Sequence, residues 1–276
     1  MFLFNIQGRS ETDFAARFKE NTMTRTAPQP ELAAPSLSCS HKHNVNATNA
    51  AHLLIDIAPY PGMDEGDLIE LFWNNCFADS RRVTACKVGT ATQLRVPESF
   101  VQDGHARVHY QVMQIGHGPA RSAVTTVRVK TNYPGGQPSA LYCDENQNLA
   151  PVGLPDMIRR YGVNSSQVRR GIPLTIEPYL NMTRGDAITL RWGDARLDLP
   201  KIQARAVGIA VQVWVPSAII IEAGDDSRLD VTYCILDRVG NNSRWAPART
   251  LRIAAYVPAT PKRPSSAAQI YQPRRP

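Results

Sequence analysis

The 276-residue sequence predicts an all-β chain of two tandem sandwich domains made by internal duplication, flanked by disordered termini. Three observations lead there. A long segment recurs at a fixed offset, apolar residues alternate with period two, and Gly, Pro, Asn and Asp punctuate the chain every ten to fifteen residues.

The duplication is the strongest of the three. IAPYPGMDEGDLIELFW (57–73) aligns without a gap to IEPYLNMTRGDAITLRW (176–192) at an offset of 119, with nine identities in seventeen positions. Ile57, Pro59, Tyr60, Met63, Gly66, Asp67, Ile69, Leu71 and Trp73 recur as Ile176, Pro178, Tyr179, Met182, Gly185, Asp186, Ile188, Leu190 and Trp192. The same offset carries Val88, Gly89, Val96 and Pro97 onto Val207, Gly208, Val215 and Pro216. Past an insertion of about four residues in the second copy, Val108 and Tyr110 meet Val231 and Tyr233, and TTVRV (125–129) meets RTLRI (249–253). Upstream, ELAAP (31–35) resembles NLAP (148–151). These matches set the expected boundaries: a tail over 1–29, a first domain over 30–131, a linker over 132–147 (NYPGGQPSALYCDENQ), a second domain over 148–257, and a Pro-rich basic tail over 258–276.

Each copy then reads as six or seven short strands. In the first they are expected near 53–58, 67–73, 81–87, 91–96, 105–113 and 122–130. Ile69, Leu71 and Trp73 share a face by period two, as do Ile188, Leu190 and Trp192, so both tryptophans are expected in a core between two sheets. Thr189 and Arg191 mark the opposite, wetter face. In the Met-x-x-Gly-Asp turn, Gly66 and Gly185 suit a positive φ, and Asp67 and Asp186 suit acceptance of hydrogen bonds from turn amides. A calcium site needs about six to eight oxygens, and each aspartate stands almost alone. Pro155 opens PDMIRRY (155–161), which is expected to make one helical turn.

The GDxIxLxW strand opening, the later VPxS edge and the final alternating strand resemble the tandem bacterial immunoglobulin-like repeats of surface or secreted proteins in pseudomonads and their relatives. The resemblance covers both copies, about three quarters of the chain. It implies immunoglobulin-like sandwiches acting as spacers or adhesive modules, at the cell surface or secreted. The opening MFLFNIQGRSETDF lacks a basic start and has too short an apolar core for a signal peptide, and no run of eighteen apolar residues forms a transmembrane segment.

Charge says little by itself. Of the net +7, Lys262, Arg263, Arg274 and Arg275 lie in the last nineteen residues with no acid among them, and residues 1–29 add one more, which leaves about +2 on the middle of the chain. No clustered basic stripe is visible there, so nucleic acid is not the expected partner. The excess of Arg over Lys fits either carboxylate and phosphate recognition or a GC-rich coding sequence.

Chemistry-bearing patterns are sparse. The five cysteines (Cys39, Cys76, Cys86, Cys143, Cys234) form no CxxC pair. Cys76 and Cys86 flank FADSRRVTA, read as a turn, and a bridge between them needs Cα atoms within about 7 Å. Cys39, His41 and His43, with His52 nearby, offer soft ligands, but a polar loop is the expected reading and no metal or other cofactor is implied. There is no GxSxG, HExxH or GxxxxGK[ST], so no catalytic residues are assigned and no enzyme is expected. Trp214 alternates out of phase with Val213 and Val215 and faces Arg95 in the alignment. Trp245, in the loop before the last strand, has no aromatic counterpart. These two are the candidate binding anchors, for a protein or glycan partner. The expected function is therefore a non-catalytic binding or spacer protein serving adhesion or partner recognition. Alternatives are a secreted effector or toxin-associated accessory protein and, third, a hydrolase with a scattered site.

Overall fold

The computed structural model describes residues 32–38, 43–138, 144–224 and 228–253. The chain forms two immunoglobulin-like sandwiches, each a small sheet packed on a larger one. In the first unit β1 (Ser36–Leu37), β3 (Leu54–Ile57) and β6 (Thr92–Arg95) form the small antiparallel sheet. The large sheet runs β2 (Asn44–Asn46), β9 (Thr125–Lys130), β7 (Gly104–Met113), β4 (Leu68–Trp73), β5 (Cys76–Arg82), with β8 (Ala120–Arg121) beside β7. Between β2 and β3 lies the single turn α1 (Ala47–Ala50). The β2–β9 pair is parallel, closing the sheet with the strand that precedes β3 in sequence.

The second unit repeats this plan with an eroded start. Its small sheet is β10 (Ile172–Ile176) and β13 (Val211–Val215), and its large one runs β12 (Ala195–Asp198), β11 (Ala187–Trp192), β14 (Leu229–Leu236), β15 (Asn242–Trp245), with β16 (Arg249–Leu251) also on β14. Where the first unit has β1 and β2, the second keeps only the isolated bridges Gly153–Thr175 and Val163–Ile253. The space is taken by α2 (Asp156–Tyr161) and α3 (Ser165–Arg170), whose Ile158 and Val168 point into the core, as does Ile220 of α4 (Ser217–Glu222). Helix α3 starts on a capping box: Asn164 Oδ1 accepts from Gln167 N and Gln167 Oε1 accepts from Asn164 N.

The expected alternation is realised. Burial alternates without a break along β4 and β11, and Trp73 and Trp192 are both enclosed, at 2% and 0% exposure. The buried apolar residues fall into two separate clusters, one from Leu32 to Val129 and one from Leu149 to Ile253. Each takes side chains from both of its sheets, as a sandwich core requires.

Two expectations need correction. The strand placed at 81–87 lies at 76–82, because the turn precedes Cys76: Asn74 (φ 52°) and Asn75 (φ 65°) make a two-residue hairpin turn that pairs Trp73 with Cys76. Two consecutive positive-φ residues match the twist of the flanking strands, and asparagine tolerates them. FADSRRVTA is thus largely strand: Cys76 opens the seven-residue β5, which extends over roughly 20 Å, and Cys86 lies four residues beyond its far end, in the short helical turn Ala85–Lys87. Both thiols are free and exposed. The second correction concerns Trp245, which ends strand β15 rather than sitting in a loop.

Candidate functional site

Both units share a buried clasp at the start of the long central strand. Asp67 Oδ2 accepts from Tyr60 Oη at 2.9 Å and from Asp64 N at 3.1 Å, and Asp186 Oδ2 accepts from Tyr179 Oη at 3.0 Å and from Thr183 N at 2.9 Å. Gly66 and Gly185 hold the turn at φ 92° in both copies, as the sequence required. Burial, followed by the hydrogen bond and charge of Asp67, pushes the Tyr60 hydroxyl well above the ordinary phenol value. At Tyr179, burial and then the charge and hydrogen bond of Asp186 do the same. These phenols therefore stay protonated donors, and the repeated Tyr and Asp are turn fasteners. The sequence exposed the aspartate's role through the turn, whereas its tyrosine partner, seven residues upstream, is visible only once the chain folds back.

The two candidate anchors lie on opposite sides of the second core. Trp214 is 57% exposed on the outer face of β13, paired across from Pro173. Its indole covers Gly171, where a Cβ would come within 2.5 Å of Nε1, so a glycine at φ 85° is what lets the ring lie flat there. Trp245 projects from the outer face of the large sheet, opposite Cys234, and stacks on the Arg191 guanidinium at 4.9 Å. It is only partly exposed. The structure does not bring Trp214 and Trp245 into one patch.

A third aromatic surface escaped the sequence reading. On the outer face of the first unit's large sheet, Phe72 stacks on His109 (centroids 5.0 Å apart, planes 7° from parallel) and meets Phe77 edge-on at 6.2 Å. Arg121 reaches His109 Nδ1 at 3.4 Å and, being a donor only, assigns that nitrogen as acceptor. Burial first, then the positive charges of Arg121 and Arg107, lowers the His109 pKa below the usual imidazole value. Phe77 is 52% exposed. The signal lay in the Asn-Asn pair at the centre of FWNNCF, whose two-residue hairpin sets Phe72 opposite Phe77, but the misplaced turn put Phe77 out of register.

The joint between units is built from polar groups. Lys130, the last residue of β9, donates to Asn181 O (3.3 Å), Thr183 Oγ1 (3.2 Å) and the buried Asp237 carboxylate (3.1 Å), so its three protons all meet acceptors in the second unit. Asn241 Oδ1 accepts from Ala47 N at 2.8 Å while its Nδ2 donates to Lys130 O at 2.8 Å. Asn181 Nδ2 donates to Tyr133 O, and Gly135 N donates to Leu180 O at 2.7 Å. The segment expected as linker is thus fastened to the second unit, with Asn146 fully buried between Gly136 O and Ser243 O.

Cys39 and His41 lie outside the described residues, as do the residues of the two tails from 1 to 31 and from 254 to 276. His43 and His52 are both exposed. No described helix is long and apolar enough to cross a membrane.

No protein-family model matches the chain, and no curated protein matches it. Similar solved structures include a 1.5-MDa bacterial ice-binding adhesin (16% identity, TM-score 0.36), of which the alignment takes in 81% of this chain and 66% of that one. The fibronectin(III)-like modules of Clostridium thermocellum CbhA are similar at 9% identity and a TM-score of 0.38, over 80% of this chain and 93% of theirs. A tetra-tandem repeat from the extending region of a large adhesion protein gives 11% and 0.30, over 79% and 48%. The neighbours are thus immunoglobulin-like and fibronectin-like repeat modules, bacterial adhesins among them, at a distance from which their ligands say nothing of this chain.

Proposed function

We propose that this is a non-catalytic binding or spacer protein in which two sandwich units, over about 30–131 and 148–257, are held in a fixed relation and turn different outer faces toward partners in adhesion or recognition. The joint carries this reading. A flexible tether would leave its groups to water, whereas here a mostly buried ammonium and a fully buried carboxylate side chain meet across the boundary, and breaking such a pair strands a charge. The segment between the units adds backbone hydrogen bonds to the second one. Trp214 and Trp245 remain the proposed anchors, each on its own face.

Small-angle scattering of the full chain tests it. The wild type is expected to fit a single arrangement of the two units. Lys130→Met, which keeps the stem but removes the charge and its three donated bonds, is expected to broaden the distribution of separations while both units stay folded. A wild-type profile that already requires many separations removes the fixed-spacer reading.

A further inference from the structure

We infer that the second unit carries a cleft for an acidic polysaccharide, a segment bearing several carboxylate or sulfate groups, and that the duplicated first unit has lost or never had it. The cleft, about 680 Å³, lies at the end of the large sheet. It is walled by Arg184 in the turn before β11, by Lys201 and Arg205 in the segment after β12, and by Arg238 after β14. All four side chains are exposed, and among the described residues none of them forms an ion pair. The nearest acids on these elements are occupied elsewhere: Asp186 by Tyr179 and Thr183, Asp237 by Lys130 and Asn241. The Asp186 carboxylate, held by neutral donors, offsets part of this charge, and Asp237 is matched by Lys130, so a cationic excess remains on the cleft and an anion that relieves the repulsion binds with that energy added.

The first unit supplies an internal control. Its equivalent positions hold Glu65, Arg82, Cys86 and Ile115. The match is geometric as well as sequential: the Arg238 stem lies over Gly185 (Cδ 2.5 Å from where a Cβ would be), and Ile115 lies over Gly66 (Cδ1 at 3.5 Å) in the same way. One scaffold thus presents one acid, one arginine and an 81% exposed isoleucine in copy one, and four cations in copy two. The sandwich does not need those cations, since copy one folds the same turn without them.

The shape of the site favours a glycan over other polyanions. The lining residues include no aromatic ring on which a base could stack, and the cations fill one cleft rather than a track along a nucleic-acid backbone. The adjoining backbone is already paired, Gly185 N to Ile202 O and Ile202 N to Asp186 O, which leaves no free edge for a peptide strand. Three guanidinium forks, with the Gln203 amide beside them, suit planar carboxylates or tetrahedral sulfates.

The test is titration calorimetry of the full chain with a heparin-derived octasaccharide, an oligogalacturonate, neutral maltohexaose, oligothymidylate and oligoglutamate, at about 50 and about 300 mM salt. The expected result is one acidic-glycan site per chain, weakened by salt, with the sulfated and carboxylated sugars telling which group it prefers. Arg184→Glu with Arg238→Ile, the residues of copy one, should lower affinity on the order of tenfold or more. The reciprocal Glu65→Arg with Ile115→Arg should raise the stoichiometry toward two, and it keeps the proposal exposed to failure if the first variant misfolds. Unchanged binding in the Arg184/Arg238 variant would assign the affinity to Lys262, Arg263, Arg274 and Arg275 and overturn the proposal. So would equal binding of maltohexaose, or tighter binding of oligothymidylate or oligoglutamate. The cleft is lined by second-unit residues alone and includes neither tryptophan, so failure of its test leaves the scattering test of the spacer reading untouched.

Discussion

On the outer face of the first unit's large sheet Phe72 sits between Phe77 and His109; at the same register positions the second unit has Arg191, Arg196 and Thr232. One strand further on, Arg121 of the first unit, paired with Gln111, becomes Trp245, paired with Cys234. Cation and aromatic have exchanged places, so each face keeps an arginine beside a ring while the exposed chemistry differs. Inside, the copies agree: Tyr60–Asp67 and Tyr179–Asp186 make the same clasp, and Trp73 and Trp192 fill the same space. A duplicated sandwich tolerates change on its outer sheet faces because those side chains lie outside the core between the sheets, even where neighbours cover them as at His109 and Thr232.

The largest effect expected is from the shared interior. Trp73→Ala and Trp192→Ala should each cost about 3–5 kcal/mol, as truncation of a large buried aromatic does. Each loss should fall mainly on its own unit, so calorimetry should resolve two transitions with only one displaced. A single cooperative shift in both variants would mean that the joint couples the units into one folding block, and would break the treatment of the copies as separate cores.

The clasps come next. Asp67→Ala and Asp186→Ala strand a buried tyrosine hydroxyl and free a turn amide, for a loss of about 1–3 kcal/mol each in denaturant unfolding. The two values should be close, since Gln114 Nε2 adds a bond to Asp67 and Thr183 Oγ1 adds one to Asp186. A large disparity would show that the repeated sequence has come to do different work in the two turns.

Trp214→Ala and Trp245→Ala sharpen the comparison of outer faces. A buried interface aromatic costs about 2 kcal/mol on truncation, or about thirtyfold in affinity. Because the two rings lie on opposite sides of the core, a single partner should be weakened by one replacement and not by both. Equal sensitivity to both would demand a partner that wraps the unit, and sensitivity to neither would remove the tryptophans from the site.

The smallest effect distinguishes the units by pH. The His109 pKa is lowered in the folded state, so the unfolded chain takes up the proton first, and the stability that the neutral ring contributes is present above the unfolded value near 6.5 and lost as pH falls below it toward the folded value. The first unit's melting temperature should therefore decline between about pH 6.5 and 5 by more than that of a His109→Gln variant. The second unit, with Thr232 at that position, has no such contribution. An unaltered pH profile in the variant would mean that the imidazole titrates as it would in water.

Sequence alone determined what repetition and periodicity encode. Nine identities in seventeen fixed the duplication, period two placed Trp73 and Trp192 in cores, and Gly66 and Gly185 marked turns needing positive φ, because these are local or same-strand properties. What depends on folding back over long separations was hidden. The Asn74–Asn75 turn displaced one strand and with it Phe77, since the seven residues Cys76–Arg82 show no clear alternation and either side of them can hold the hairpin until pairing decides. Arg184, Lys201, Arg205 and Arg238 are scattered over fifty-five positions and average out in the net charge, and only the sheet end gathers them. Lys130 is an ordinary strand-end lysine in the sequence. Its ammonium becomes a joint because the fold sets it against the buried carboxylate of Asp237, one hundred and seven residues away.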